Sequence, residues 1–523
     1  MDRRVLKHGQ EGTGASEPPP LMEARDINRL THPILMAGVL EMLLDLGRMF
    51  NVLLILNAII VIVTIIFVQK KRPESVLLWM LAFLILPLVF VLVFYLFLGR
   101  DYRNQRLFRD KAEVDRDAVA TLQRLKGDLF IFEFDRLPEG GPRRLAMMIF
   151  QSQNSLLTSQ NEVEYFNEGV SCYQAMSEEI AGAERFIHLE MYIIRRDDTA
   201  RQLVRELAAK ARQGVEVKLL LDDVGCRRVG RWFFRELTQA GGEVVYFLPS
   251  VLGPINFRIN NRNHRKIMVV DGDSAFVGGF NIGDEYTGKG KLGYWRDCMV
   301  RVRGSGAMSA EGRFIQDWNF AADAHLDLED YPPSRAGSGK SFLQIVSGGP
   351  DASDKPLEEQ YVKMITSARE YVYIQTPYLV PGEAVTAALV AAAKSGIDVR
   401  VMIPSKPDHP FVYWASLQNA GELMYAGVRV HQFQKDGFVH AKLVVMDDMV
   451  VSVGSGNLDR RSFELNFESN AVIYDPDLAI KVKSAFIDDL VNRCTELTAV
   501  EYEKRSVRVR FMEAISRLYT PVA

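Results

Sequence analysis

Two segments of this chain carry the same reactive side chains at the same spacing. Both fit the pattern His-x-Lys-x-x-x-x-Asp, written HRKIMVVD in one copy and HAKLVVMD in the other, and an asparagine follows each histidine at the same distance. The two sets are His264, Lys266, Asp271 and Asn281, and His440, Lys442, Asp447 and Asn457. One copy alone would be weak evidence, but two matching copies predict a duplicated fold in which each half supplies one histidine and one lysine.

This combination of side chains suits the cleavage of a phosphodiester. Histidine titrates near neutral pH, so one imidazole can be neutral and attack phosphorus while the other is protonated and gives its proton to the leaving alcohol. Lysine ammonium and asparagine amide groups neutralise the non-bridging oxygens of the phosphate. Because lysine is a poor metal ligand and no His/Asp/Glu cluster has metal-site spacing, the sequence predicts neither a metal nor another cofactor.

Further residues near the motifs are predicted to support this chemistry. Residues two apart in a strand point to the same side, so the histidine and lysine of each motif should project together and, across a pseudo-two-fold axis, face those of the other half. The predicted phosphate-binding residues are Asn281, Asn457, Gly279 and Ser455. The predicted orienting carboxylates, each counted from the histidine of its own half, are Asp297 and Glu468. The motif residues Asp271 and Asp447 end their strands, where turn or ion-pair roles are expected more than catalysis.

Other titratable residues have weaker cases. His188 shares a strand with Glu190 and is a candidate for the wall of the same site. Asp222 and Asp223 stand at the end of a predicted strand, where a capping role is commoner than a divalent-cation site. The four cysteines are scattered without CxxC spacing, which favours buried thiols in a reducing compartment.

Length and composition predict an α/β protein of two large domains. The chain has 523 residues, 48% of them hydrophobic, and its net charge of -3 gives no global nucleic-acid signature. From about residue 150, strand and helix patterns alternate and repeat, which predicts two mixed sheets flanked by helices. The first domain is predicted over residues 151–329, a linker rich in Pro, Gly and Ser over 330–341, and the second domain over 342–523.

The N-terminal part has a different character. Residues 1–33 are polar and predicted to be disordered, and residues 34–49 fit either an amphipathic helix at a membrane surface or a short packed helix. Two apolar runs within 50–99 predict a transmembrane hairpin. The basic linker region, residues 100–150, favours a cytoplasmic main body. The basic turn between the two runs favours the same side, which leaves open that one run is re-entrant or interfacial.

The paired motifs, with GGFNIGDEY and GSGNLDRRSFELNFE behind them, resemble the phospholipase D superfamily. The segments LEMYII, TPYLVP and NLDRRS, together with the hairpin WMLAFLILPLVFVLVFYLFLGRD, are similar to bacterial cardiolipin synthases. The resemblance implies two phospholipase D-like domains related by pseudo-two-fold symmetry. It implies that one phosphatidylglycerol gives its phosphatidyl group to a histidine and releases glycerol, and that a second accepts the group to form cardiolipin.

The resemblance also implies residue roles and a location. His264 would be the nucleophile and His440 the acid/base, and Gly279 stands where many relatives have serine, which would remove one hydroxyl contact to phosphate. The implied partners are phosphatidylglycerol, cardiolipin and the bilayer, with no nucleic acid. The implied location is the bacterial inner membrane, as a multi-pass protein with cytoplasmic catalytic domains, and a homo-oligomer is left open.

The acceptor alcohol is not fixed by the motifs. A phospholipase D, or a phosphatidyltransferase that uses serine or ethanolamine, therefore remains an alternative. The membrane hairpin argues against a nuclease of the same fold, and the intact motifs argue against a non-catalytic lipid-binding scaffold. An apolar lip at 247–257 with a basic rim is expected to admit lipid, and the aromatic runs 232–234 and 411–414 extend it. The rim residues are Arg258, Arg262 and Arg265.

Overall fold

The computed structural model describes residues 24–67, 108, 111, 131–153, 155–250, 261–335, 337–352, 354–434 and 436–519. The chain divides into two compact units, Met1–Leu96 and Phe97–Ala523. The predicted second apolar run of the hairpin lies outside the described residues, and so does most of the basic linker.

Helix α1 (Ala24–Phe67) is the described part of the N-terminal unit. The helix begins inside residues 1–33, which were predicted to be disordered, and it continues without a break through residues 34–49. The boundaries predicted at residues 33/34 and 49/50 are therefore not boundaries of helical structure. Once a helix has nucleated, each added residue costs little, and the helix therefore extends back into the polar segment. From Met36 to Ile59 it exposes large apolar side chains. Within the described ranges, no helix combines the length and the apolar character needed to cross a membrane.

The second unit, which contains both motifs and is called the catalytic unit once its site has been described, is built on one mixed sheet that runs through both halves. Its strands in the first half are β1 (Thr158–Phe166), β2 (Phe186–Met191), β3 (Glu216–Asp222), β4 (Glu243–Phe247), β5 (Lys266–Val270), β6 (Ser274–Gly278) and β8 (Met299–Arg303). Those in the second half are β9 (Ser341–Gly348), β10 (Tyr371–Gln375), β11 (Asp398–Pro404), β12 (Arg429–Phe433), β14 (Leu443–Met446), β15 (Val450–Gly454), β16 (Glu468–Tyr474) and β17 (Cys494–Glu496). A separate parallel pair joins β7 (Tyr294–Arg296) to β13 (Gly437–Val439).

The strand order shows the predicted duplication. From the centre outward, one half reads β1-β8-β6-β5-β2-β3-β4 and the other reads β9-β16-β15-β14-β10-β11-β12, with β17 at the edge. The central pair β1 and β9 is antiparallel and joins the halves. In each half the motif strand, β5 or β14, lies antiparallel to the first strand of a parallel trio. Both motif strands are buried along their whole length, as expected of strands covered on two faces.

Helices cover the two faces of the sheet. They are α2 (Ile131–Phe134), α3 (Gly141–Gln153), α4 (Gly169–Gly182), α5 (Asp198–Arg212), α6 (Arg235–Gln239), α7 (Ser305–Ala322), α8 (Pro356–Ser367), α9 (Glu383–Lys394), α10 (Pro410–Tyr425), α11 (Arg460–Glu464), α12 (Pro476–Arg493), α13 (Ala499–Glu503) and α14 (Val507–Tyr519). Helix α3 falls in the predicted linker region, yet Leu145, Ala146 and Ile149 are fully buried in the core of the second half. These residues share one face of the helix, which is why the segment packs instead of linking.

Candidate active site

Each motif begins immediately before a buried strand, and its backbone is tied to the opposite half. The N–H of His264 donates to the carbonyl of Phe467 (2.9 Å), and the N–H of His440 donates to the carbonyl of Arg296 (2.7 Å). Two further backbone contacts connect the halves at these places. They are a parallel bridge between Asn263 and Phe467 and the pairing of β7 with β13. The two motifs are therefore positioned by contacts between the halves.

The carboxylates that face the histidines are exchanged between the halves. Nδ1 of His264 lies 2.8 Å from Oε2 of Glu468, and Nδ1 of His440 lies 2.6 Å from Oδ2 of Asp297. The same-half pairing that the sequence offsets predict does not occur. Because Nδ1 faces an acceptor, it holds the proton of the neutral ring, and the basic nitrogen is Nε2.

The two carboxylates have different surroundings. Oε2 of Glu468 accepts from the hydroxyl of Ser455 (2.6 Å), and Oε1 accepts from the hydroxyl of Ser462 (2.9 Å) and the amide of Asn466 (3.2 Å). Asp297 accepts the backbone N–H of its own neighbour Cys298 (2.8 Å) through Oδ1. Both carboxylates are completely buried, which by itself raises a carboxyl pKa. The pKa of Glu468 is nevertheless lowered, mainly by His264 and Lys266, and that of Asp297 is lowered mainly by Lys442 and His440.

The two motif lysines are buried beside the histidines. Nζ of Lys442 lies 2.8 Å from Nδ1 and 3.1 Å from Nε2 of His440, and it donates to the backbone carbonyl of the same residue. Nζ of Lys266 donates to the carbonyl of His264 and lies 5.0 Å from the centre of the Tyr192 ring. Each half thus presents an imidazole and a cation together, as the strand geometry predicts.

The buried charges set the protonation states of the site. Burial lowers the pKa of His264 to about 4, with the cations Lys266 and Lys442 adding to the shift and Glu468 opposing it. Burial, and then Lys442, lower the pKa of His440. Burial also lowers the pKa of Lys266 to about 7. The crossed contacts of His264 with Glu468 and of His440 with Asp297 place both motifs at the same junction between the halves.

Comparison with known proteins identifies the family. The family model described as cardiolipin synthase, PLD-like domain, matches residues 176–311 and 361–490, so that each half contains one match. The chain belongs to this family. A protein named cardiolipin synthase from Staphylococcus aureus strain Mu50 is 42% identical over 466 residues, which cover 88% of this chain and 93% of the relative.

Further comparisons agree with this membership in the cardiolipin synthase family. The protein named cardiolipin synthase 1 from Staphylococcus aureus strain COL is 40% identical over 489 residues, covering 91% of this chain and 98% of the relative. Among solved structures, phosphatidylserine synthase from Haemophilus influenzae Rd KW20 is 14% identical, with a TM-score of 0.56, and covers 72% of this chain and 98% of that chain. At that identity the likeness is one of fold. The resemblance to the phospholipase D superfamily is confirmed.

An aromatic ring outside the motifs also contacts the site. The edge of Tyr192 meets the ring of His264, with centroids 4.6 Å apart. Burial raises the pKa of this tyrosine to about 12, so it stays a neutral hydroxyl. Tyr192 follows the end of β2 and Tyr378 follows the end of β10, in the family segments LEMYII and TPYLVP. The recurrence of a tyrosine after these two strands is the sequence signal that could have identified Tyr192.

Three of the four residues predicted to bind phosphate face other groups of the protein. The side-chain amide of Asn281 donates to the hydroxyl of Tyr286 (2.7 Å), and its carbonyl accepts the N–H of Ile193 (3.1 Å). The hydroxyl of Ser455 donates to Glu468. A Cβ atom at Gly279 would collide with the carboxylate of Asp297, which explains why a serine is not accommodated there.

Asn457 differs from the other three predicted phosphate ligands. Its backbone N–H donates to the hydroxyl of Ser462 (3.1 Å), whereas its side-chain carbonyl oxygen is buried without a hydrogen-bond partner. An amide oxygen only accepts hydrogen bonds, and a phosphodiester has no proton to donate, so this orphaned atom does not itself mark a phosphate contact. A phosphate contact of Asn457 would be made by its Nδ2 group and stays a prediction.

The aspartates that end the motifs lie away from the histidines. Asp271 accepts the backbone N–H groups of Glu184, Arg185 and Phe186, each at 2.8 Å. Asp447 likewise accepts from the three residues 369–371 at 2.7 to 2.9 Å. The full length of the motif strand separates these carboxylates from the lysines. Both aspartates therefore hold the start of the neighbouring strand, as expected for strand-end residues.

Two other sequence candidates, His188 and Asp222, are held by structural contacts. His188 is buried between Glu311 (2.6 Å) and Glu216 (3.1 Å), so it does not line the site. Asp222 accepts the backbone N–H groups of Val224, Gly225 and Asn263 at 2.8 to 3.0 Å, which is a capping role. In the described part of the chain, no cluster of three or more metal-ligating side chains is found.

The predicted lip is only partly what the sequence suggested. Arg262 and Arg265 are buried and paired with Asp222 and Asp317, so they do not form a basic rim. Residues 251–260, including Arg258, lie outside the described residues. Trp232 and Phe411 are 59% and 52% exposed, and both follow the C-terminal end of a parallel strand. The prediction that Arg262 and Arg265 lie on an exposed rim was wrong, because the carboxylates that pair with them are distant in sequence.

Proposed function

We propose that this protein is a cardiolipin synthase that transfers a phosphatidyl group between two phosphatidylglycerol molecules. The observation that carries the proposal is the pair of buried histidines, each bonded through Nδ1 to a carboxylate of the other half and each beside a lysine. This arrangement supplies two imidazole Nε2 atoms and two cations to one phosphodiester. The family to which the chain belongs and the names of its relatives, which are cardiolipin synthases, support this proposal.

In the first step, Nε2 of His264 attacks the phosphorus of one phosphatidylglycerol. The bond between nitrogen and phosphorus forms, and the bond between phosphorus and the glycerol oxygen breaks. The leaving oxygen takes a proton from Nε2 of His440. That histidine is neutral in the empty site, and the anionic phosphate raises its pKa on binding and so lets it take up the proton. Lys266 and Lys442 neutralise the non-bridging oxygens.

In the second step, a second phosphatidylglycerol takes the place of glycerol. Its free hydroxyl gives its proton to Nε2 of His440 and bonds to phosphorus, and the bond to His264 breaks. Cardiolipin leaves, and the histidines return to their starting states. The assignment of His264 as the nucleophile rests on the family resemblance. Its lowered pKa keeps it unprotonated at neutral pH, but the pKa of His440 is lowered as well and does not distinguish the two.

The proposed location is the bacterial cell membrane, as a multi-pass protein with the catalytic unit on the cytoplasmic side. The supporting observations are in the sequence: two apolar runs within 50–99 and the basic residues that follow them. Phosphatidylglycerol, cardiolipin and the bilayer are the proposed partners.

The test uses the purified full chain in detergent with phosphatidylglycerol as the sole lipid. We expect cardiolipin and glycerol in equal amounts without added nucleotide, and no product from His264→Ala or His440→Ala. Phosphatidic acid in place of cardiolipin would show that water is the acceptor and overturn the proposal. A requirement for a CDP-activated lipid would overturn it as well. An adduct trapped on His440 instead of His264 would reverse the assignment of the nucleophile.

A further inference from the structure

We infer that Phe108 and Lys111, from the region between the apolar runs and the catalytic domains, are positioning residues for the pair formed by His264 and Glu468. This inference rests on the proposed function for its assay and adds two residues outside both matched domains. Neither residue can touch a substrate from its place in the interior: Phe108 is 5% exposed, and Lys111 is completely buried.

The ammonium group of Lys111 is held by two carboxylates. Its Nζ lies 3.0 Å from Oδ1 of Asp317 and 3.3 Å from Oδ2 of Asp351. Asp317 also pairs through Oδ2 with Arg265, the residue between the motif histidine and lysine. A buried cation without such partners would be strongly unfavourable, so the ion pairs fix where this segment sits. Asp317 thus links Lys111 to Arg265 of the first motif through two successive ion pairs.

Arg265 carries this connection forward to the orienting carboxylate. Its Nε donates to the backbone carbonyl of Glu468 (3.2 Å) and to the hydroxyl of Ser469 (3.1 Å), and its Nη2 donates to the carbonyl of Gly348 (3.1 Å). The guanidinium that is shared with Asp317 therefore holds the backbone of the residue that binds His264.

Phe467 is the second point of contact. The ring of Phe108 meets its ring edge-on at 5.6 Å, and Nζ of Lys111 lies 5.6 Å from the same ring. Phe467 directly precedes Glu468, and its carbonyl accepts the backbone N–H of His264. A shift of this ring would move both members of the pair, because their backbones meet at this residue.

The other histidine lacks this support. Arg296, the residue before Asp297, pairs there with Asp489 (2.5 Å). No contact from Phe108 or Lys111 to Asp297, His440 or Lys442 is found among the described residues. The structure therefore ties the linker residues to one of the two histidines, and their loss should affect the step in which phosphatidyl is transferred to His264.

The test compares Lys111→Met, Lys111→Arg and Phe108→Leu in the full chain. We expect Lys111→Met to lower kcat about 10-fold with KM unchanged, because a displaced carboxylate misorients the nucleophile without altering lipid binding. Phe108→Leu should lower kcat less, and Lys111→Arg should retain more activity than the methionine variant, since it keeps the charge. Lys394→Met, at an exposed helix end, is the control and should match the wild type.

Two measurements separate this inference from its alternatives. The rate at which radiolabelled phosphatidylglycerol labels the protein should fall with kcat, and it can be measured whatever the acceptor proves to be. If the wild type forms the adduct but no cardiolipin, the proposed function is wrong. The present inference is then still tested, because the rate of adduct formation can be compared between the wild type and the variants. Variants with wild-type kcat and only a lowered Tm would overturn the inference, and so would a raised KM at constant kcat. If Lys111→Met does not fold, Phe108→Leu decides.

Discussion

The two active-site histidines are chemically alike but electrostatically unequal. Glu468 receives three side-chain hydrogen bonds besides its contact with His264, whereas Asp297 receives one backbone hydrogen bond beside His440. A carboxylate whose charge is shared among several donors attracts the imidazole proton less strongly. Burial nevertheless lowers the pKa of both rings, so both are neutral in the empty site. What differs is the position of the cation, because Lys442 lies against the ring of His440 whereas Lys266 donates to the backbone carbonyl of His264.

The buried lysine predicts an unusual pH dependence. His264 acts as the neutral base, so activity should be lost as pH falls through about 4. Lys266 acts as the cation, so kcat/KM should be lost as pH rises through about 7, the lowered pKa of the empty site. The bound phosphate raises that pKa, and the alkaline limb of kcat should therefore lie at higher pH than that of kcat/KM. Steady-state kinetics in mixed micelles would measure both limbs, and a kcat/KM that is flat from about pH 6 to 9 would contradict the lowered lysine pKa.

The close approach of Asp297 to Gly279 predicts that adding a side chain at Gly279 lowers activity. In Gly279→Ala the new Cβ would collide with Asp297 and push its carboxylate off Nδ1 of His440. We expect kcat to fall about 10²-fold because the acid/base histidine loses its orientation. Gly182→Ala, where a Cβ would meet nothing within 4 Å, is the matched control and should behave as the wild type. Full activity of the Gly279→Ala variant would show that catalysis does not depend on the position of the Asp297 carboxylate.

At the scale of elements, the two ends of each motif strand have different roles. The lysine end of β5 faces the site, and the aspartate end caps the start of β2. The same division holds for β14 and β10. The spacing from lysine to aspartate is therefore the length of a strand, roughly 15 Å. Asp271 and Asp447 belong to the motif because they fix the neighbouring strand whose far end carries the site.

This division predicts that the motif aspartates govern stability more than catalysis. Asp271→Ala should lower the free energy of unfolding by about 1–3 kcal/mol, because the N–H of buried Phe186 loses its acceptor. Asp447→Ala should cost less, since two of its three donors are exposed to water. Both residues have positive φ, so the strain of alanine is common to the two variants. Urea unfolding measures the difference. A large loss of kcat at a temperature where Asp271→Ala is folded would show that this residue acts in catalysis.

The elements also show what could be read from the sequence and what could not. Strand, helix and glycine patterns predicted the repeats β2-α5-β3 and β10-α9-β11, because these signals are local. The exchange of Asp297 and Glu468 between halves could not be predicted, since residue offsets do not say which half a side chain reaches. Arg265 was predicted to lie on the surface for the same reason: its partner Asp317 lies on a helix that the local sequence does not reveal.

At the scale of the molecule, the halves form one structure. The strands β1 and β9 join them at the centre of the sheet, and β7 and β13 join them beside the site. One buried cluster contains Val277, Val300 and Val302 from the first half together with Val445 and Val453 from the second. Since each half also supplies the carboxylate for the other's histidine, neither half contains a complete catalytic pair.

This shared core predicts that the halves unfold together. Val302→Ala in β8 removes buried methyl groups from the shared cluster and should cost about 2 kcal/mol. If the catalytic unit unfolds as one cooperative body, amides in both β5 and β14 should lose protection by that same amount, although β14 lies in the other half. Hydrogen exchange of the full chain, followed by mass spectrometry of peptides from each strand, measures this. Loss of protection confined to the first half would mean that the halves are stable separately and meet only at the site.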